Sequence, residues 1–77
     1  MMERAVSLDG VVPVVNGEER TVATGSTIGD LLRELNVSPH AVVVEHNREI
    51  VRDRDRLDSI VLVTGDSLEI VHFVGGG

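Results

Sequence analysis

The chain has 77 residues, a formal net charge of −6 and no cysteine. A chain this short makes one small domain that buries only about 60% of the surface its unfolded form exposes, which leaves little room for a deep substrate pocket of its own. Disulfide scaffolds and thiolate metal sites are excluded. The acidic balance speaks against nucleic acid, which needs a basic stripe, and suits a partner with an electropositive docking surface; the same charge also keeps a small domain soluble.

All seven basic residues are arginine. Lysine-nucleophile and Schiff-base chemistry are therefore absent, and an activated acyl group on this protein would find no ε-amine on its own kind. A genome-wide preference for arginine codons would explain the same count. Residues 1–10 lack the apolar run of a signal peptide, and no stretch approaches a membrane span. They read as a disordered leader or a misassigned start, without a motif, and a cytoplasmic location is expected.

From Val11 the chain becomes patterned. Val11-Val12-Pro13-Val14-Val15 is apolar and β-branched, and Asn16-Gly17 separates it from Glu18-Glu19-Arg20-Thr21-Val22-Ala23. Asn-Gly between two strand-like runs predicts a hairpin, because both residues accept the positive φ of a type I′ turn. Pro13 cannot donate to a ladder and belongs at a strand start, a bulge or an edge.

Thr27-Ile28-Gly29-Asp30 has the form of a capping box. Ile28, Leu31, Leu32 and Leu35 then recur at helical spacing, and Arg33 and Glu34 fall on the other face. Asn36 can take the left-handed conformation that ends helices, and Pro39 prevents continuation. One amphipathic helix of about three turns is expected.

Ala41-Val42-Val43-Val44 predicts a strand. Glu45-His46-Asn47-Arg48 is expected to turn the chain, with Ile50-Val51 as a short returning strand. Arg52 to Arg56 alternates in sign and reads as a solvated connection, with Leu57, Ile60 and Leu62 tucked into the core. Gly65-Asp66 is a turn, and Ser67 to Val74 is the last and longest strand. A single helix must bury its apolar stripe against a sheet. The predicted fold is therefore α+β: a mixed four- to five-stranded sheet with one helix across one face, the β-grasp arrangement.

Internal catalytic candidates are weak. His40, His46 and His72 share no metal-ligand spacing. Asp53, Asp55 and Asp58 suggest a calcium loop only faintly, because the required glycine is missing and Leu57 stands at a ligand position. The segment from Thr24 to Thr27 lacks a phosphate-loop signature. The expectation is a protein without catalysis, bound metal or bound cofactor of its own.

The tail is different. The last strand runs directly into Gly75-Gly76-Gly77. Residues without Cβ let the backbone enter a channel too narrow for side chains. An α-carboxyl is an anion at neutral pH, with a pKa of about 3.3–3.7, and resists nucleophilic attack until it is activated. Adenylation by ATP would supply a leaving group, and a sulfur nucleophile could then leave a thiocarboxylate. A frayed terminus or linker stub would look the same by composition. Alternation along the last strand predicts Leu68 and Ile70 facing the helix, and Glu69, Val71 and Phe73 on the open sheet face as a docking patch. Phe73 could equally complete the core.

These pieces together resemble the ThiS family, the small sulfur carriers of thiazole formation in thiamine biosynthesis. The resemblance rests on Val14-Val15-Asn16-Gly17-Glu18, on Thr27 through Leu35, on Val43-Val44 with Asn47, Glu49, Ile50 and Val51, and most on Gly65 through Gly77. It implies a ubiquitin-like β-grasp domain over 11–77 with a flexible tail at 75–77. Gly77 would be the residue adenylated and then thiocarboxylated, with Gly75 and Gly76 in the partner's channel. It further implies a ThiF-like adenylating enzyme that uses ATP and Mg²⁺, a persulfide donor of the cysteine desulfurase or rhodanese type, and a thiazole synthase of the ThiG type as consumer.

Three features depart from the family pattern: Pro13 at a usually apolar strand position, Arg48 in place of a glycine, and the long leader. A carrier of the same chemistry serving molybdopterin or a sulfur amino acid, and a β-grasp interaction or modifier module without a sulfur role, remain as alternatives.

Overall fold

A computed structural model describes residues 10–73. The expected leader up to residue 9, and Val74 with the glycine tail, lie outside the described residues. Gly10, expected in the leader, instead opens strand β1 (Gly10–Val11).

The predicted first hairpin forms, but in two pieces. β2 (Val14–Val15) pairs with β3 (Glu18–Glu19), while β1 pairs with β4 (Val22–Ala23). Buried Pro13 sits at the break, and its carbonyl accepts the Arg20 N–H at 2.9 Å. Proline cannot donate to the ladder, so the hairpin bends there and its outer half leaves the main sheet as a separate two-stranded ribbon. The turn itself has Asn16 at φ 50° and Gly17 at φ 85°, as a type I′ turn requires.

Helix α1 spans Ile28–Glu34. At seven residues it makes two turns rather than the expected three, because Leu35 is already the C-cap and Asn36 takes φ 59°. The capping box is complete: the Asp30 N–H donates to Thr27 Oγ1, and the Thr27 N–H donates to the Asp30 carboxylate, each at 3.0 Å. The Thr27 N–H, the Arg33 guanidinium and the Thr27 hydroxyl hold the Asp30 carboxyl below the usual range. Ile28, Leu31 and Leu32 are buried against the sheet, and Leu35 packs at the margin.

After a 3-10 turn at Pro39–Ala41, strand β5 (Val42–His46) runs two residues further than expected. Glu45 and His46 stay in the strand because their partners on the last strand are available, and the reversal falls on Asn47 and Arg48. Both have positive φ, 50° and 74°. The turn therefore keeps the left-handed geometry that glycine normally supplies, and Arg48 bears the strain. β6 (Glu49–Ile50) returns.

The alternating Arg/Asp stretch is more ordered than a bare connection. Arg54–Asp58 forms a 3-10 helix capped by Asp53, and it buries Leu57. This segment lies so close to α1 that a Cβ on Gly29 would collide with the Asp58 carboxylate. β7 (Ser67–His72) completes the fold.

The main sheet has the order β3-β2-β7-β5-β6, with β2 and β7 parallel and the other neighbours antiparallel. The α-helix covers one face, and Val42, Val44, Leu68 and Ile70 from the sheet meet Ile28, Leu31, Leu32, Leu57 and Leu62 in one core. This is the expected α+β, β-grasp architecture, with five strands in the main sheet. Among the described residues, no helix is long and apolar enough to cross a membrane.

Candidate functional site: the last strand and the open sheet face

β7 lies in the middle of the sheet and carries the chain toward the glycine tail. Its start is fixed by Asp66, which is buried although acidic. The Asp66 carboxylate accepts the Val63 N–H at 3.0 Å and the Asn47 side-chain amide at 3.1 Å, and lies 3.3 Å from His46 Nε2. Burial pushes this carboxyl up, but the Val63 N–H, the Asn47 amide and His46 outweigh it and hold the group below its usual range. Asn47 in turn accepts the Ser67 N–H at 2.8 Å. The β5–β6 turn is thereby tied to the first residue of β7.

Further along, Asn16 extends the other side. Its side-chain oxygen accepts the Ile70 N–H at 2.7 Å, and its amide donates to the Ile70 carbonyl at 3.3 Å. One side chain thus stands in for a strand residue after β2 has ended.

Leu68 and Ile70 point into the core, and Glu69, Val71 and Phe73 are exposed on the open face. Val71 is 59% and Phe73 53% exposed, so Phe73 does not complete the core. The register adds residues that alternation within one strand could not identify. Val43 stands opposite Val71, Glu45 opposite Glu69, and Ile50 opposite Glu45. Val43, Val71 and Phe73 therefore form an apolar stripe on two strands, and the next row across the sheet runs Ile50, Glu45, Glu69, which places a like-charged pair beside the stripe.

Like charges placed opposite one another weaken a sheet. Among the described residues, no basic group pairs with either carboxylate. An apolar stripe bordered by two carboxylates fits a partner surface that brings apolar and cationic groups together.

No catalytic constellation accompanies this surface. Among the described residues, no three His, Asp or Glu side chains converge as metal ligands. A depression of about 170 Å³ beside β5 and β6 is lined by valines, Ile50, Arg52 and Arg54, without a nucleophile or paired acid and base. The arrangement can present a strand and a surface. Gly75, Gly76 and Gly77, the residues expected to carry the chemistry, lie outside the described residues.

Among the described residues, a mixed sheet crossed on one face by one α-helix defines a β-grasp protein. Residues 13–77 match the family model described as "ThiS family", and the chain belongs to that family. It is 45% identical to the sulfur carrier protein ThiS of Bacillus subtilis over 51 residues, covering 66% of this chain and 76% of that protein.

It is also 45% identical over 64 residues to a thiazole synthase of Paramagnetospirillum magneticum, and 40% identical over 63 residues to one of Magnetococcus marinus. These alignments cover 83% and 82% of this chain but only 19% of each thiazole synthase. Among solved structures, the crystal structure of the thiamine biosynthesis protein ThiS from Geobacter metallireducens superposes with a TM-score of 0.72 at 34% identity, over 87% of this chain and all of that one (100%). A solution structure from the same organism gives a TM-score of 0.70.

Proposed function

We propose that this chain is a sulfur carrier for thiazole formation in thiamine biosynthesis, charged at the carboxyl group of Gly77. The observation that carries the reading is the ThiS-family match, which runs from residue 13 through the three glycines. The open apolar face beside the strand that leads to them supports it.

In this reading the protein is a co-substrate of other enzymes. A ThiF-like adenylating enzyme binds ATP and Mg²⁺. The Gly77 carboxylate attacks the α-phosphorus, pyrophosphate leaves, and an acyl-adenylate forms. The terminal sulfur of an enzyme persulfide, supplied by a cysteine desulfurase or rhodanese-type donor, attacks the acyl carbon and displaces AMP. A second thiol then cleaves the S–S bond, releasing the thiocarboxylate and forming a disulfide. The sulfur passes to a thiazole synthase.

The two long thiazole synthases support this last partner, because each contains a segment similar to this chain. Glu69, Val71 and Phe73 dock the partners, and Gly75 and Gly76 thread the channel.

Deleting Gly76 and Gly77 tests the reading. ATP-dependent pyrophosphate release with the adenylating enzyme is expected to vanish while the melting temperature stays unchanged. A truncated chain that is still activated would refute the proposal. Binding to thiazole synthase, and not to the large subunit of molybdopterin synthase, is expected to fix the pathway.

A further inference from the structure

A strand presents its backbone groups alternately to its two neighbours, and in β7 each pair can be followed. Toward β5, the Ser67 carbonyl accepts the Asn47 N–H at 2.8 Å and the Phe73 N–H donates to the Ala41 carbonyl at 2.9 Å. Residues 67, 69, 71 and 73 therefore face β5. Toward β2, the Leu68 carbonyl accepts the Asn16 N–H at 2.8 Å, and Ile70 is taken at both its N–H and C=O by the Asn16 side chain.

The next residue with this orientation is His72. The β2–β3 turn has already reversed the chain at Gly17, and among the described residues nothing bonds the His72 N–H or C=O. His72 is exposed. A free donor and acceptor on a strand edge form a template for one more strand.

We propose that the edge of β7 at His72, just past the Asn16–Gly17 turn, is a strand-addition site for an extended segment of the enzyme that activates the terminal carboxyl. This rests on the sulfur-carrier reading, in which the continuation of β7 is delivered to that enzyme. The apolar stripe would hold the domain by its side chains. The His72 edge would hold the backbone and set the direction in which the tail leaves the sheet. Asn16 closes the edge at Ile70, so pairing begins at His72 and cannot slide back toward the core.

The fold supplies a clean test, because among the described residues the His72 N–H has no ladder partner. Proline there removes the donor, suits an extended φ, and leaves the β5 pairing whole. We expect His72→Pro to keep the wild-type melting temperature. We expect its Kd for a ThiF-type adenylating enzyme to rise about tenfold, the effect of one lost hydrogen bond, with His72→Ala near wild type.

A variant with the His72 amide replaced by a backbone ester removes only the donor and keeps the torsional freedom, and it decides the matter should the proline disturb folding. Proline and ester variants that bind within about twofold of wild type would overturn the proposal. So would wild-type dimers that dissociate on His72→Pro, since the edge would then belong to a second copy. Wild-type protein that binds but is never adenylated would refute the carrier reading, while the Kd series would still decide the edge.

Discussion

Asp66 shows how much one side chain can organise. The Gly65-Asp66 turn was legible from sequence because glycine accepts the φ of 95° found there. The aspartate's burial was not, because its partners come from a turn 19 residues away and from the backbone of Val63. A folded-state pKa below the unfolded value stabilises the native state above the unfolded pKa, about 3.9 for aspartate. That contribution is lost as pH falls from there through the lower folded value.

Asp66→Asn is therefore expected to lower stability at neutral pH by about 2 kcal/mol, through the weakened acceptor for Val63 and the lost contact with His46. It should also flatten the acid limb of a stability-versus-pH curve measured by urea denaturation, leaving the part due to Asp30. Arg48 teaches a related lesson. The substitution of a glycine suggests a different turn, yet the ladder on either side keeps Arg48 at φ 74°.

Among the elements, the helix and the hairpin were readable because their signals are local. The capping box and the Ile28, Leu31, Leu32 stripe specify the helix, and Asn16-Gly17 specifies the turn. Boundaries were less readable. The reversal after β5 depends on where β7 offers partners, and the split of the first hairpin depends on how Pro13 meets Arg20 across it.

Asn16 was read only as a turn former, yet its side chain also caps the free edge of Ile70. Asn16→Ala is expected to cost about 2 kcal/mol, since it removes two hydrogen bonds and the residue's tolerance of positive φ. Amide exchange should speed up first at the Ile70 N–H. Uniform acceleration along β7 would show instead that the side chain has no local role there.

At the scale of the whole molecule, the apolar residues of the described main sheet divide into two sets, one between sheet and helix and one left on the open face. The alternation of β7 made Glu69, Val71 and Phe73 legible as the open-face members. Val43, Glu45 and Ile50 joined them only through the register of three strands, which no single segment encodes.

Phe73 is half exposed, so Phe73→Ala removes less burial than truncation of a core phenylalanine would. It is expected to reduce the kcat/KM of adenylation by more than about a hundredfold while shifting the melting temperature by only about 4–8 °C, the effect of about 1 kcal/mol. A proportionate loss of both would return Phe73 to a packing role.

The central claim is chemical and can be read directly. Intact-mass analysis of the protein, before and after incubation with ATP, a ThiF-like adenylating enzyme and a persulfide donor, is expected to show the gain of sulfur replacing oxygen, located by fragmentation at Gly77. A mass that remains at the free acid with every partner combination would contradict the account and leave a β-grasp interaction module in its place.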